Sequence, residues 1–298
     1  MQEITKIIAL SDTHNGKIPS IVSAYLKDAD YLLHVGDIAS LSAYNELITL
    51  ALETKNKSKG LIVVKGSEDN DSGLPVLKDR NVITVCGMHV FRWNIIKGPD
   101  VIPETDEARL IEFLQKNLGI EWVKNAKIKK DNKKKTIKVY TSTNSLFLIL
   151  NEEKNEVILK MDGNEIDKFI AKTENAEINI YGRISIGLMH DVFSGAYLLS
   201  ATNIANGSLG EWTEWGLAKG VNVLVFGHVR YPIIANGKNL LICPGHSSNS
   251  YPADNCGSVP TMAQLIIKEG FVYAAIVPLE GSLQNNEHFA KFWPYQSG

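Results

Sequence analysis

Residues 7–16, Ile7 to Gly16, read IIALSDTHNG, and several later apolar runs of the chain also end in polar residues. Four apolar residues give way abruptly to a carboxylate, Asp12, and an imidazole, His14. Positions two apart in a strand point to the same side, and buried strands of α/β sheets carry ligand-binding residues at their carboxyl ends. Asp and His together suit Mn, Fe, Zn or Ni. The stretch indicates a metal site, unless Asp12 only caps a helix and His14 lies in a surface loop.

Apolar strands followed by polar residues recur further along the chain. Tyr31–Val35 precedes Gly36-Asp37, and Leu61–Val64 precedes the loop that contains Ser67 and Asp69. Helical apolar spacing lies between these strands, at 19–27 and 41–55, and alternation of strand and helix predicts a mainly parallel sheet with helices on its faces. A short strand is predicted at 82–85. Later strands are predicted at 178–189, 221–226 and 240–246, the first two ending at His190 and His228, and a hairpin at 263–267 and 272–277.

Composition restricts the class of protein. The chain has 298 residues, of which 44% are hydrophobic and 21% charged, as expected for a folded globular protein. Its net charge of −2 predicts no general affinity for nucleic acid or anionic membranes. Three cysteines without a close pair, and no long apolar run, lead us to expect a cytoplasmic protein without disulfides that contacts no membrane.

The middle of the chain differs in character and is expected to be a small α+β insertion at 94–176, between core segments 1–93 and 177–298. A helix at 106–117 and strands at 136–140, 145–150 and 157–161 are predicted there, with another helix at 212–219 in the core. The lysine-rich run 124–138 is interpreted as a hairpin edge that lysines protect from pairing, with binding of nucleic acid or another anion as the alternative.

Taken in order, Asp-x-His, Gly-Asp, Gly-x-x-Asp, a strand-terminal His and Gly-His-x-x-x-Pro resemble the motifs of the calcineurin-like metallophosphoesterases, particularly their small prokaryotic phosphodiesterase branch. Cys243-Pro244-Gly245 is similar to the Asn-Pro-Gly turn of that branch. The resemblance covers residues 4–93 and 177–280. It implies an α/β fold, a β-sandwich flanked by helices, to which the insertion is an addition.

The resemblance also implies two divalent metal ions, Mn, Fe, Zn or Ni. Asp12 and His14 would hold the first, His190 and His228 the second, and Asp37 would bridge them. Ser67 stands where the family usually has an Asn ligand, and Asp69 of the same loop is an expected catalytic residue.

Arg230 is the larger departure, because the family usually has a histidine ligand in that place. A guanidinium repels cations, so we expect the first metal site to be weak or empty. Arg230 would then be catalytic by clamping a substrate phosphate; the alternatives are that it replaces a lost metal or forms a surface salt bridge.

These motifs predict a metal-dependent phosphoesterase that acts on a phosphodiester or phosphomonoester. The main alternative is a weak or inactive phosphoesterase scaffold that binds proteins, as the retromer subunit of this fold is thought to do. A third alternative is a nuclease-like activity in which the lysine run guides a polyanion.

Overall fold

The computed structural model describes residues 4–69, 73–92, 111–112, 114–115, 120–131, 136–151, 156–174, 177–190, 220–237, 239–249, 259–268, 270–281 and 289–292. These residues fall into two compact units. The core unit takes in the described residues of 4–85 and 184–292, and the second unit those of 86–183.

The described elements of the core unit are mostly strands. Its first half contains β1 (Thr5–Leu10), α1 (Ile21–Leu26), β2 (Tyr31–Val35), α2 (Leu41–Ala51), a 3-10 turn (Lys57–Gly60), β3 (Leu61–Val64), a second 3-10 turn (Ser67–Asp69) and the start of β4 (Arg80–Arg92).

The second unit contains a 3-10 turn (Glu121–Asn125) and the strands β5 (Lys127–Asp131), β6 (Thr136–Tyr140), β7 (Ser145–Asn151), β8 (Glu156–Met161) and β9 (Asn164–Glu174). The chain then returns to the core through β10 (Glu177–Met189), β11 (Val223–Phe226), β12 (Pro232–Asn236), β13 (Leu240–Pro244), β14 (Thr261–Lys268), β15 (Phe271–Pro278) and β16 (Phe289–Phe292).

The core unit contains two sheets. The first has the order β16-β15-β14-β1-β2-β3, with β1, β2 and β3 parallel and the three later strands antiparallel to their neighbours. In the second sheet, β11 lies parallel between the carboxyl-terminal part of β10 and β13, and β12 closes the edge in the antiparallel direction. Five strands, β1, β2, β3, β10 and β11, therefore run parallel within their sheets and lead to the loops that carry the predicted ligands.

Alternate residues of β1 pack on opposite sides of the first sheet. Ile7 and Ala9 join a core that also contains Ile186 and Val225 of the second sheet, so the two sheets pack face to face. Ile8 and Leu10 instead pack against the apolar sides of α1 and α2. A strand covered on both faces must be apolar throughout, and this accounts for the unbroken run before Asp12. The predicted α/β sandwich with flanking helices is confirmed.

The second unit is an antiparallel meander in which β5 to β9 pair in sequence order and β9 pairs with the start of β10. One face buries Val139, Leu146 and Leu159, which pack with Leu114 and Val123. That residues 94–176 are an insertion into a core that is complete without them remains a prediction.

Most of the predicted elements are present. The strands at 31–35, 61–64 and 136–140 have the predicted bounds, whereas the predicted helix 41–55 ends at Ala51 and the strand predicted at 82–85 runs from Arg80 to Arg92. Three strands were not predicted, β9, β12 and β16. The predicted helix at 212–219 lies outside the described residues, as does most of the helix at 106–117. Among the residues described, no helix is both long and apolar enough to cross a bilayer.

We predict that a short Gly/Ser linker in place of residues 94–176 will leave a soluble core that unfolds cooperatively. Strands β4 and β10, on which the chain leaves and re-enters the core, pair with each other, so a short linker can join them. Urea unfolding followed by circular dichroism measures this. Aggregation of the shortened protein under all conditions would contradict the prediction.

Candidate metal centre

The predicted ligands lie in loops at the carboxyl ends of the parallel strands of the core unit. Asp12 and Asp37 follow β1 and β2, while His190 and His228 follow β10 and β11 of the other sheet. Backbone hydrogen bonds join the first two loops, because the amide of Asp12 donates to the Gly36 carbonyl at 3.0 Å and that of His14 to the Asp37 carbonyl at 3.0 Å. The sandwich thus brings together residues that are more than two hundred positions apart.

Five of the predicted site residues have left-handed backbone conformations. Their φ angles are 50° for Asp12, 42° for His14, 58° for Asp37, 67° for His228 and 64° for Arg230. This region is uncommon for residues other than glycine, and such conformations persist where the surrounding structure holds them, often at functional sites. The clustering of these angles around one site supports a functional reason for the strain.

Glycines let the loops approach each other closely. A Cβ atom at Gly66 would lie 2.1 Å from the Asp37 amide nitrogen and 2.2 Å from Asp37 Oδ1. A Cβ at Gly227 would lie 2.3 Å from Ser11 Oγ and 2.7 Å from His190 Nδ1. No side chain fits at either position, so both motifs require glycine immediately before or near the ligand residues.

Asp12, Asp37 and His190 form the buried centre of the site. One potential ligand atom from each lies within 4.8 Å of the others, and His190 Nε2 is 3.1 Å from Asp37 Oδ2. The three residues are at most 2% exposed. Nevertheless, Asp12 Oδ1 and His190 Nε2 have no hydrogen-bond partner within the described part of the chain. Buried polar atoms without partners are costly, and a cation between them would satisfy both.

The other polar side-chain atoms of these two residues, Asp12 Oδ2 and His190 Nδ1, have hydrogen-bond partners. Nδ1 of His190 donates to the Val35 carbonyl at 2.7 Å, which leaves the lone pair of Nε2 toward the cluster when the ring is neutral. Oδ2 of Asp12 accepts from the Ser11 hydroxyl and, at 3.2 Å, from the His228 amide. Each side chain is therefore oriented by one atom and presents the other to the same point.

Asp37 also belongs to a second group, with His14 and Glu68. His14 Nε2 lies 3.5 Å from Asp37 Oδ2 and 3.8 Å from Asp12 Oδ1. Oδ1 of Asp37 accepts from the Glu68 amide at 2.9 Å and from the Ser67 hydroxyl at 3.3 Å. Asp37 is the residue that the two groups share, and its role as a bridge between two cations remains a prediction. Ser67 donates to Asp37, and its own role as a metal ligand also remains a prediction.

Glu68 was not predicted, and it holds His14 in place. Its Oε2 lies 2.6 Å from His14 Nδ1, so a proton on Nδ1 would direct the lone pair of Nε2 toward the two aspartates. No sequence signal pointed to it, because Glu68 occupies one of the two unspecified positions of the Gly-x-x-Asp motif and its side chain is half exposed.

Asp69, predicted as catalytic, accepts hydrogen bonds from four backbone amides. Its oxygens bind the amides of Gly66 at 2.7 Å, Asp37 at 3.1 Å, Ile38 at 2.8 Å and Ala39 at 2.9 Å. These contacts fasten the Gly66 loop to the Asp37 loop. A catalytic role for Asp69 remains a prediction.

Arg230 and His228 lie at the border of the centre. Nε of Arg230 is 3.8 Å from Asp12 Oδ1, and its Nη2 is 3.7 Å from Glu68 Oε1. The ring of His228 packs edge-on against the ring of His190, with centroids 5.4 Å apart. His228 thus adjoins a ligand candidate, and its own role as a ligand remains a prediction.

The charges of the centre shift each other's pKa. Burial opposes ionisation of Asp37, but the neighbouring His190 and the Glu68 amide outweigh it and hold its pKa well below the usual range. Burial likewise opposes protonation of His190, yet Asp37 and Asp12 raise its pKa to about 9. The metal-free centre at pH 7 therefore consists of carboxylates neutralised by a protonated imidazole.

His34 is buried beside the loop that carries Asp12 and His14, and it belongs to neither group of potential ligands. Its Nε2 lies 3.2 Å from the Thr13 hydroxyl. Burial lowers its pKa to about 4, against the attraction of Asp69 and Asp12, and the ring is neutral at pH 7. It supports the loop that carries Asp12 and His14.

Residues 5–120 match the family model described as the calcineurin-like phosphoesterase superfamily domain. This part of the chain, less than half of its length, is similar to the calcineurin-like phosphoesterases. The matched range holds Asp12, His14 and Asp37, while His190 and His228 lie beyond it. Domains of this family typically bind divalent metals, and the two groups of carboxylates and imidazoles fit that chemistry.

Solved structures with detectable similarity include vacuolar protein sorting 29 from Cryptosporidium parvum, with 14% identity, a TM-score of 0.49, and coverage of 97% of this chain and 98% of that one. A Streptococcus pneumoniae TIGR4 protein described as a predicted phosphoesterase has 13% identity, a TM-score of 0.42, and coverage of 98% and 99%. Zinc-complexed Vps29 from Entamoeba histolytica has 14% identity, a TM-score of 0.47, and coverage of 96% and 98%. No curated protein matches the chain.

For the metal-free protein we predict that stability falls between pH 7 and pH 10. Folding raises the pKa of His190 from 6.5 to about 9, so its contribution is complete below pH 6.5 and is lost as the pH rises through 9. The expected loss is about 1–3 kcal/mol of unfolding free energy, measured by urea titration in the presence of a chelator. His190→Gln should flatten the dependence, and an unchanged slope in this variant would contradict the assignment.

We further predict that Glu68→Ala weakens metal binding about 10–100-fold, the usual cost of losing a residue that orients a histidine ligand. Glu68→Gln should cost less, because its amide oxygen can still accept from Nδ1 of His14. Calorimetric titration with Mn measures both. Glu46→Gln on α2 serves as the control, and equal affinities for Glu68→Ala and the unaltered protein would exclude this role.

Proposed function

We propose that this chain is a metal-dependent phosphoesterase that hydrolyses a phosphodiester or phosphomonoester at a binuclear centre. The observation that carries the proposal is the cluster of Asp12, Asp37 and His190, whose potential ligand atoms lie within 4.8 Å of one another. Two polar atoms of this cluster, Asp12 Oδ1 and His190 Nε2, are buried and have no hydrogen-bond partner in the described structure. Packing alone gives no reason to bury these atoms together. The match to a phosphoesterase family supports the same chemistry.

The chain's residues divide into two ligand groups in this proposal. Asp12 and His14 would hold one cation and His190 with His228 the other, while Asp37 would contact both. Two divalent cations, when bound, would neutralise the charge of a phosphate and lower the barrier to attack by water on phosphorus. Mn, Fe, Zn and Ni all suit this set of ligands.

Arg230 would act on the substrate. Its guanidinium is held at the edge of the centre by Glu68 and Asp12 through contacts of 3.7 and 3.8 Å, and one third of its side chain is exposed. An anion that lies between Arg230 and the cations would offset their mutual repulsion. A phosphate is such an anion, and a guanidinium can bind two of its oxygens at once.

A second candidate function is a protein-binding module built on the same scaffold. The observation that favours it is a row of exposed apolar side chains on α2 and its C-cap, at Leu41, Ile48 and Leu52, which are 47%, 37% and 54% exposed. Their spacing places them along one side of the helix. Absence of metal binding and of turnover would favour this function over hydrolysis.

Asp37→Ala provides the test of the enzyme proposal. Removal of the carboxylate shared by both groups should reduce Mn content, measured by elemental analysis, and should abolish turnover of a generic aryl phosphodiester. The fold should survive, since its core lies between the sheets. Asp28→Asn, at an exposed aspartate, is the matched control. Full metal content together with turnover in Asp37→Ala would exclude a binuclear centre.

We also predict that Arg230→His raises the metal stoichiometry toward two and increases KM for a phosphoester. The change replaces a cation with a ligand and removes the contact to phosphate, and histidine tolerates the left-handed backbone at this position. Calorimetry with Mn gives the stoichiometry and steady-state kinetics gives KM. Arg80→His is the control, and identical stoichiometry and KM in Arg230→His would show that Arg230 has neither role.

A further inference from the structure

Positive charge is concentrated in one segment of the second unit. Residues 124–138 contain eight lysines and one acidic residue, a net charge of +7, so the remaining 283 residues together carry −9 in a chain of net charge −2. Such a separation of charge within one chain is typical of a surface that meets a polyanion. The structure shows where part of this charge lies.

The register of the meander aligns a row of side chains across four strands. Lys129 on β5 pairs with Lys138 on β6, Lys138 with Phe147 on β7, and Phe147 with Lys160 on β8. On β9 the partner of Lys160 is Glu165, so the basic part of the row ends at β8. Neighbouring strands are about 4.8 Å apart, so the row is about 14 Å long. The next row begins with Lys127 opposite Tyr140.

This row lies on the face opposite the core of the unit. Strand residues alternate between faces, and the intervening positions Val139, Leu146, Leu148 and Leu159 are the buried ones. Lys129 and Lys127 are exposed, and Lys138, Phe147 and Lys160 are half-buried. We call this surface, formed by Lys127, Lys129, Lys138, Tyr140, Phe147 and Lys160, the lysine–aromatic face.

The need to protect a sheet edge from pairing with other chains explains only some of the lysines of the lysine–aromatic face. Lysines on an edge strand prevent pairing with other chains, which accounts for Lys127 and Lys129 on β5. It does not account for Lys138 and Lys160, because β6 and β8 have a strand on each side. Lys129 directly opposite Lys138 is moreover an unfavourable cross-strand pair of like charges, which an anion would relieve.

The aromatic rings identify the kind of anion. The ammonium of Lys138 lies 4.9 Å from the ring centroid of Phe147 and 5.1 Å from that of Tyr140, so charge and ring are interleaved. Lysines can bind successive phosphates while rings offer stacking surface to bases, a combination found in proteins that bind single strands. Bases within a duplex are stacked on each other and could not reach the rings. An acidic peptide would use the charge but not the rings.

We propose that the lysine–aromatic face binds single-stranded nucleic acid without sequence specificity. Phosphates contact Lys127, Lys129, Lys138 and Lys160, and bases pack on Phe147 and Tyr140. The site is independent of the proposed phosphoesterase centre, because none of its residues belongs to the core unit.

Fluorescence anisotropy of the full-length protein with labelled oligothymidylate tests the proposal. Four phosphate contacts to a single strand predict a slope of about −3 for log K against log salt concentration, measured between 50 and 200 mM. Replacement of all four lysines by Gln should bring the slope close to zero. Lys27→Gln with Lys59→Gln, at exposed lysines of the core unit, should leave it unchanged.

The variant Phe147→Leu distinguishes the contribution of base stacking to affinity from the contribution of the lysine charges. It keeps an apolar side chain and every lysine, so the salt slope should persist while affinity falls about 5-fold or more. Phe289→Leu, at an exposed phenylalanine of the core, is the control, and circular dichroism confirms that each variant is folded. Undetectable binding, equal affinity for duplex or polyglutamate, or unchanged affinity in both the lysine and Phe147 variants would overturn the proposal.

Discussion

The arrangement depends above all on the confinement of two carboxylates, Asp12 and Asp37, at the buried junction of two sheets. Their mutual repulsion and their loss of hydration must be compensated locally, and the metal-free protein does so with a protonated His190 and with backbone amides. The same compensation explains why the surrounding loops are bound so closely to one another. A bound cation would replace the proton of His190 as the positive charge that compensates the two carboxylates.

Asp69 stabilises this junction, although it does not belong to the cluster of Asp12, Asp37 and His190. Its carboxylate gathers amides from the Gly66 loop and from the turn after β2, so that two strand ends keep a fixed distance. Glycine at Gly66 removes the side chain that would otherwise separate these loops. The position of Asp37 is therefore set by backbone contacts on both of its sides.

The sequence predicted the strand ends well, because an apolar run that stops at Asp12, Asp37 or His190 reflects burial on both faces of a sheet. It could not predict Glu68, whose contact with His14 arises from the fold of a short turn and leaves no periodic pattern. Strand β12 was not predicted because it begins at Pro232, the last residue of the Gly-His-x-x-x-Pro motif, and proline occurs in strands mainly at sheet edges, where β12 lies. Strand β9 was not predicted because its sequence, NEIDKFIAKTE, mixes charged and apolar residues without a regular alternation, although it pairs with β8 and β10.

The left-handed backbone at Asp12, Asp37 and His228 has a consequence for the order in which the molecule is assembled. Isolated loops would rarely adopt these angles, and partners from both sheets are needed to hold them. The ligand atoms can converge only after the sandwich has closed, so a metal ion cannot template the early stages of folding. The polypeptide must reach its native topology unaided, and any ion would bind to residues that are already in place.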